Sequence, residues 1–214
     1  LYQTLLGTLP EGVLDEASLR SYRERIETYM LKAAREAKLC TSWTAPDAQY
    51  EGALSEFVNG VLSRPEPNPL LRMLRGQAGL AAWFGALNGL SLTLMKFTSP
   101  GVPDLYQGNE MIELNLVDPD NRRAVDFDLR SRELGRLIDL WCQPRRIPAL
   151  DVLCRRLTDG RLKLWFTWRL LDLRRRIPSL FADGDYTPLG VNGVRAEHVL
   201  AYTRSHAGTT LIVI

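Results

Sequence analysis

The stretch Thr98–Asp128, TSPGVPDLYQGNEMIELNLVDPDNRRAVDFD, combines turn-forming residues with a dense mixture of acidic and basic side chains. Its first part, GVPDLYQG at residues 101–108, is short and framed by prolines and glycines, so it predicts a brief buried strand. Its second part, residues 109–128, predicts a charged loop after that strand. The stretch follows a long helical region and precedes, after further helices, a short β-like tail.

The charged side chains of this loop suit the recognition of a sugar. Carboxylates accept hydrogen bonds from adjacent hydroxyls, and a guanidinium donates to them from a fixed fork. Barrel enzymes also place their sites just beyond the ends of parallel strands. An acidic surface loop with internal Asp–Arg pairs explains the pattern equally well, and the spacing leaves both interpretations open. The residues concerned are Glu110, Glu113, Asp118, Asp120, Arg122, Arg123, Asp126 and Asp128.

The composition excludes several classes of protein. The chain has 214 residues, 45% of them hydrophobic, which is typical of a globular protein with a sizeable core. A formal net charge of +2 predicts no general attraction to nucleic acid or to membranes. No apolar run approaches the length of a membrane span. Cys40, Cys142 and Cys154 are few and widely spaced, so we expect reduced thiols, no metal site and no cofactor.

The first part of the chain predicts helices. Residues 1–9 form a short helical segment, Asp15 caps a longer helix with apolar residues at intervals of three and four, and another helix covers about 47–62. Asn68 and Pro69 have the pattern of a helix start. Asn88–Gly89 is a candidate interruption of that helix, and the apolar segment 90–97 predicts a helix buried on every side.

The second part predicts two amphipathic helices, at residues 131–142 and about 161–177, followed by strands at 198–204 and 209–214. Trp165 and Trp168 recur with helical spacing, which favours core packing over sugar stacking. Basic clusters at 145–163 and 170–178 predict solvated helix faces rather than a nucleic-acid site, because acidic residues balance them. The chain starts and stops inside patterned segments, so we expect it to be a piece of a longer polypeptide.

The quoted stretch resembles the segment around the eighth barrel strand of the α-amylase family (glycoside hydrolase family 13). That segment commonly reads Gly-x-Pro-x-x-Tyr-x-Gly-x-Glu, and residues 101–110 match every fixed position. The continuation LVDPDNRRAVD, residues 116–126, is similar to the maltooligosyltrehalose synthases within that family. LYQTLLGTLP, YMLKAAREAKLCTSW and YEGALSEFV, at residues 1–10, 29–43 and 50–58, resemble the same enzymes, so the likeness extends over nearly the whole chain.

The resemblance implies a mostly α fragment of an α/β protein, about the C-terminal third of the enzyme. We expect a helical insertion at 1–88, the closing β/α unit of a (β/α)8 barrel at 89–180, and the start of a C-terminal β-domain at 181–214. The implied activity converts the reducing-end α-1,4 linkage of a maltooligosaccharide into α,α-1,1 by intramolecular transglycosylation, in the cytoplasm. Another α-amylase-family hydrolase or glucanotransferase, or a non-catalytic helical carbohydrate-binding or interaction module, are the alternatives.

The resemblance also implies where substrate binds. Asp118 and Arg122, with Arg123, would hold sugar in the donor subsites, while Lys38, Ser42 and Trp43 would line the acceptor side. Cys40 stands where histidine is frequent in these enzymes, beside the residues that would line the acceptor side. The three catalytic carboxylates would follow earlier barrel strands, so we expect none in this chain. The expected partners are therefore a maltooligosaccharide and the rest of the parent chain, without nucleic acid or membrane.

Overall fold

The chain divides into two compact units. The computed structural model describes residues 1–12, 14–144 and 146–214, without the side chains of residues 146–149. Unit 1 comprises Leu1–Phe84 and Glu113–Ala124, and unit 2 comprises Gly85–Ile112 and Val125–Ile214. The domain boundaries expected after residues 88 and 180 concern the parent enzyme and stay predictions. The basic cluster predicted at 145–163 begins with Arg145, which lies outside the described residues.

Unit 1 is helical. It contains α1 (Tyr2–Thr8), α2 (Glu16–Ala37), α3 (Ala48–Val61) and the first part of α4 (Pro69–Thr98). The apolar faces predicted from helical spacing meet in one core, which is why the helices are stable together. Its most buried side chains are Leu5, Leu19, Tyr22, Ile26, Val58, Leu62 and Leu71.

The predicted helix starts of unit 1 are confirmed. The Asp15 carboxylate accepts a hydrogen bond from the Ser18 N–H at 2.7 Å, as an N-cap does. Asp47 caps α3 in the same manner. The Asn68 side chain accepts from the Leu71 N–H at 3.1 Å, with Pro69 as the first helical residue. These caps fix where each helix begins and therefore how the loops between them run.

Helix α4 differs from its prediction in two respects. It runs for 30 residues without a break at Asn88–Gly89, because glycine within a long helix costs only about 1 kcal/mol and is offset by the turns around it. The segment 90–97 is not buried on every side, since Leu92 is 61% exposed. By length and composition α4 is apolar enough to cross a membrane. The expectation that no apolar run approaches the length of a membrane span is therefore wrong by this measure, although one such helix is weak evidence for a span.

Unit 2 contains the C-terminal part of α4, α5 (Phe127–Cys142), α6 (Arg146–Cys154), α7 (Arg161–Arg176) and α8 (Pro178–Ala182). The two helices predicted after residue 128 are confirmed as α5 and α7. Leu137, Leu153, Leu162 and Leu164 form the core with Met111. Trp165 is partly buried against this core, as predicted from its helical spacing.

The tail forms a three-stranded antiparallel sheet. Strands β1 (Asp185–Pro188), β2 (Tyr202–His206) and β3 (Thr209–Val213) lie in sequence order. The inward face of β2 carries Tyr202 and Arg204, both only 1% exposed. The Tyr202 hydroxyl lies 2.5 Å from the Thr98 hydroxyl at the end of α4. The sheet is thereby attached to the helix that precedes residues 101–108.

The strand predicted at residues 101–108 is wrong for this chain. The segment has no strand structure, and Val102 is 94% exposed. A strand is stable only when neighbours satisfy its backbone groups and cover its faces. Within the described residues, the three strands of the sheet pair only with one another, so residues 101–106 have no strand to join. The prediction that the fold is mostly α, with a small β-tail, is confirmed.

Candidate functional site

Unit 1 contains a cavity of about 300 Å³ between α2 and the loop 113–124. Its volume lies at the lower end of the range of ligand pockets, and its wall combines many polar or charged residues with largely apolar accessible surface, as in sites where a few polar groups orient a ligand. Helix α2 supplies Ser21, Glu24, Arg25, Thr28, Tyr29 and Lys32, and the loop supplies Val117, Asp118, Pro119, Asp120 and Arg123.

Asp120 holds the loop together from within. Its side chain is only 9% exposed. The carboxylate accepts two hydrogen bonds from Arg25, from Nε at 2.7 Å and Nη2 at 2.9 Å. It also accepts one from the Leu116 N–H at 2.7 Å, and Arg123 Nε lies 3.0 Å away. These contacts satisfy the buried charge, so Asp120 serves as the anchor of the loop.

The pKa of Asp120 reflects two opposed influences. Burial is the larger single influence and raises the pKa, because it disfavours the charged carboxylate. The hydrogen bonds from Arg25 and the Leu116 N–H, together with the charges of Arg25 and Arg123, outweigh it, so the pKa lies below its usual value. The carboxylate is therefore ionised at neutral pH and accepts hydrogen bonds only.

Asp118 and Arg122 lie on the outward side of the same loop. They form an ion pair between residues four positions apart, and their side chains are 47% and 71% exposed. The Lys32 ammonium donates to the Asp118 carbonyl oxygen at 2.6 Å, which fixes the backbone beneath the pair. Asp118 lines the cavity, whereas Arg122 does not. The structure thus brings the predicted pair together and leaves both charged groups accessible to a ligand.

Arg123, the third residue predicted in this loop, has a partly structural position. Its Nη2 donates to the Asn115 side-chain oxygen at 2.6 Å, and its Nε faces Asp120. Arg123 also lines the cavity. It therefore closes the loop on itself and contributes positive charge to the cavity wall.

The second predicted group lies at the C-terminal end of α2. Lys38 ends the helix with a left-handed φ of 56° and is exposed. Ser42 uses its hydroxyl and N–H in a tight turn with Ala45. Trp43 is 57% exposed, and the guanidinium of Arg35 lies 4.9 Å from the centre of its ring. A cation in this position stabilises one face of the indole.

Glu51 organises this second group. It accepts hydrogen bonds from Arg35 Nε at 2.8 Å, from Arg35 Nη2 at 2.6 Å and from the Thr41 hydroxyl at 2.6 Å. These hydrogen bonds, with that of Arg35 the strongest influence, lower the pKa of Glu51 from 4.5 to about 2. Since Lys32 and Arg35 are neighbours on α2, one helix contacts both predicted groups.

Glu110, the last fixed position of the Gly-x-Pro-x-x-Tyr-x-Gly-x-Glu motif, forms an ion pair with Arg130. Glu110 Oε1 lies 2.5 Å from Arg130 Nε, and both side chains are largely buried. Arg130 also donates to the carbonyl oxygens of Gly108 and Asp126. Glu110 therefore attaches the turn after residues 101–106 to the start of α5. That Glu110 takes no part in the reaction stays a prediction.

Sequence reasoning missed the contribution of α2. Ser21, Arg25, Thr28 and Lys32 follow one another at helical spacing and form a polar stripe beside the apolar face. The stripe is visible in the sequence, but a polar helix face usually faces solvent, so it does not by itself indicate a binding site. Nothing in the spacing indicates that Arg25 pairs with a residue 95 positions away. Among the described residues, no group of three or more potential metal ligands occurs.

Comparisons with known proteins point to one enzyme. No family model matches. Two strains of Mycobacterium tuberculosis have relatives called putative maltooligosyl trehalose synthase, each 34% identical over 204 residues. A crystal structure of a maltooligosyl trehalose synthase is 30% identical with a TM-score of 0.76 over 95% of this chain. The maltooligosyltrehalose synthase of Arthrobacter ramosus is 34% identical with a TM-score of 0.72 over 94% of this chain.

The match is to part of those proteins. The chain spans 23% of the length of the curated relatives and 23–25% of the two solved chains. The part matched is the C-terminal one. The resemblance drawn from residues 98–128 is thus confirmed: the homologues of this chain are maltooligosyl trehalose synthases, and the chain corresponds to about a quarter of such a protein.

Proposed function

We propose that this chain is the C-terminal part of a cytoplasmic maltooligosyltrehalose synthase of the α-amylase family. The parent enzyme converts the reducing-end α-1,4 linkage of a maltooligosaccharide into an α,α-1,1 linkage by intramolecular transglycosylation, a step toward trehalose. Residues 89–180 close its (β/α)8 barrel. The observation that supports this most directly is the similarity of nearly the whole chain, in sequence and fold, to synthases of that name.

Asp118 and Arg122 hold sugar hydroxyls in this proposal. Their ion pair is exposed. It lies on the loop that the Arg25–Asp120 ion pair attaches to α2. The Asp118 carboxylate accepts from hydroxyls and the Arg122 guanidinium donates to them, so the two recognise adjacent hydroxyls of one ring. Arg123 adds positive charge to the cavity wall.

Trp43, Ser42 and Lys38 form the acceptor side. Arg35 covers one face of the Trp43 ring, and the ring is 57% exposed, so its other face is free to stack on a sugar. Glu51 and Thr41 hold the loop that carries Trp43 and Ser42. Such a wall keeps the released glucose in place, so that the sugar rather than water attacks the glycosyl-enzyme intermediate.

The catalytic carboxylates belong to the rest of the parent chain. Two carboxylates flank the scissile bond in a retaining reaction, one as nucleophile and one as acid. The family resemblance places these carboxylates after earlier barrel strands, outside this chain. We therefore expect the isolated chain to have no turnover.

Incubation of the full-length parent with maltopentaose tests the activity. A non-reducing product with little free glucose supports the synthase. Abundant reducing sugar would instead assign the parent to the hydrolases or glucanotransferases of the same family. Product analysis by chromatography, together with a reducing-sugar assay, separates these results.

The substitution Asp118→Ala in the full-length enzyme tests the site. Removal of a hydrogen bond from a charged group costs about 1.5–3 kcal/mol, which corresponds to a roughly 10–150-fold fall in kcat/KM. Asp128→Ala is the matched control, because Asp128 is an exposed acid of the same stretch that does not line the cavity. Equal kcat/KM values for Asp118→Ala and the wild type would remove Asp118 from the binding site.

A further inference from the structure

We propose that Arg25, which lines the cavity, is a positioning residue: it acts through the sugar-binding loop, residues 113–124, which it holds in place. The inference rests on the proposed function and adds a residue of α2 to it. Arg25 belongs to none of the segments predicted to bind sugar. Its side chain is 14% exposed and points at the loop 113–124.

The contacts of Arg25 join the loop to α2 at two places. Its Nε and Nη2 form a two-pronged hydrogen bond with the Asp120 carboxylate at 2.7 and 2.9 Å. The same Nη2 donates to the Leu114 carbonyl oxygen at 2.7 Å. One guanidinium thus fixes the start of the loop and its centre relative to a 22-residue helix. A planar fork of this kind sets direction as well as distance.

The two aspartates of the Asp-Pro-Asp sequence consequently have different tasks. Asp120 points inward, is 9% exposed and is bound by Arg25 and by the Leu116 N–H. Asp118 points outward, is 47% exposed and faces Arg122. Asp120 accepts hydrogen bonds from Arg25, whereas the carboxylate of Asp118 is accessible to a ligand. Loss of Arg25 would therefore displace Asp118 and Arg122 without touching them.

Lys32 provides a second contact from the same helix. Its Nζ donates to the Asp118 carbonyl oxygen at 2.6 Å. Arg25 and Lys32 are seven residues apart, so they lie on the same face of α2, about two turns from one another. Two fixed points on one rigid helix restrain the segment 118–120 against rotation as well as against displacement. Binding groups held this way lose little freedom when ligand arrives.

The expected consequence is a loss of the Asp118 contribution when Arg25 is removed. Misplacement of a binding group by about 1 Å can cost on the order of 100-fold in rate. In the full-length enzyme, Arg25→Met should lower kcat/KM by about 10-fold or more, similar to Asp118→Ala. The double variant should be hardly worse than either single variant, since both changes remove the same interaction.

A double-mutant cycle tests this coupling at a temperature where all variants are folded by circular dichroism. Asp118→Ala should cost less than about threefold in the Arg25→Met background, against its full effect in the wild type. Additive effects would overturn the proposal, because a role in general stability alone leaves the Asp118 contribution intact. Arg20→Met is the control, as Arg20 is an exposed arginine of the same helix, and it should leave kcat/KM unchanged.

Two further measurements keep the proposal testable if Arg25→Met does not fold. Arg25→Lys keeps the charge but loses the fork, and it should lie between the wild type and the loss expected for Asp118→Ala. Hydrogen exchange then reports on the loop directly: the Leu116 N–H, bound to Asp120, should exchange at least about 10-fold faster in Arg25→Lys while the α2 amides stay protected. Wild-type kinetics and unchanged exchange in Arg25→Lys would refute the role of Arg25.

The two hypotheses fail in different ways. If the wild-type enzyme makes no maltooligosyltrehalose, the proposed function is wrong, whatever the Arg25 variants do. If the wild type is active and the Asp118 and Arg25 effects add, only the positioning role is wrong. Hydrogen exchange of the Leu116 N–H needs no substrate, so it tests the anchoring of the loop in either case.

Discussion

The substitution Arg204→Met should strongly destabilise unit 2. Arg204 lies on the inward face of β2, is 1% exposed and binds backbone groups from three neighbouring segments. Its guanidinium uses Nε, Nη1 and Nη2 to donate to five carbonyl oxygens at 2.9–3.2 Å, those of Thr98, Leu180, Phe181, Gly184 and Asp185. A methionine fills much of the same volume but donates to none of them.

The magnitude follows from the number of groups left without a donor. A hydrogen bond to a charged group contributes about 1.5–3 kcal/mol, and a buried carbonyl without a partner costs about 1–3 kcal/mol. Release of the buried charge offsets part of this loss, since burial of a guanidinium is itself unfavourable. We therefore expect a decrease of about 3–5 kcal/mol in the free energy of unfolding, the range seen when a buried charged contact is broken. For a unit of this size that corresponds to a Tm lower by roughly 10–20 °C.

Calorimetric unfolding of the 214-residue chain measures this effect. Arg195→Met provides the control, because Arg195 is exposed in the same unit and should change Tm by no more than about 2 °C. Arg204→Lys should also be destabilised, since an ammonium has three donors and cannot reach five carbonyls. A Tm within about 3 °C of the wild type for both Arg204 variants would refute the reasoning, because that shift corresponds to less than about 1 kcal/mol.

Two further predictions concern single side chains. Glu51→Gln should be less stable than the wild type above about pH 4.5, and the difference should shrink as the pH falls toward 2. The Arg35-paired carboxylate of Glu51 has a pKa of about 2 in the folded protein, and its stabilisation is lost on protonation. Urea unfolding at a series of pH values tests this, and a difference that persists unchanged at pH 2 would contradict it. Gly160→Ala should lower stability by about 1–3 kcal/mol, because φ is +79° and a Cβ would lie 2.9 Å from the Ile112 nitrogen, whereas Gly135→Ala, with open space in α5, should be neutral or stabilising.

Helical elements could be predicted from the sequence because their signals are local. Asp15, Asp47 and Asn68 cap helices through contacts two or three residues away, and each is where the pattern indicates. The apolar face of α2 needs no knowledge of its neighbours, since spacing alone defines it. β3 likewise lies close to the predicted 209–214, whereas the strand predicted at 198–204 begins only at Tyr202, because Ala196–His198 form a 3-10 turn.

Features that depend on distant residues could not be predicted. The strand expected at 101–108 has suitable residues, but its formation depends on neighbouring strands that this chain does not supply. Arg25 and Asp120 are separated by 95 positions, so no local pattern joins them. Within the site, the resemblance indicated Asp118 and Arg122, whereas the anchoring side chains came only from the structure.

The Arg25–Asp120 contact has a consequence for the order in which the protein is assembled during translation. Arg25 leaves the ribosome long before Asp120 does, because 95 positions separate them. Domains fold as their residues emerge, at about 5–20 residues per second, so α2 and α3 can pack several seconds before the loop arrives. Until then Arg25 and Lys32 stay hydrated, and the helical scaffold exists before the sugar-binding loop. The loop docks last, onto a surface that is already formed.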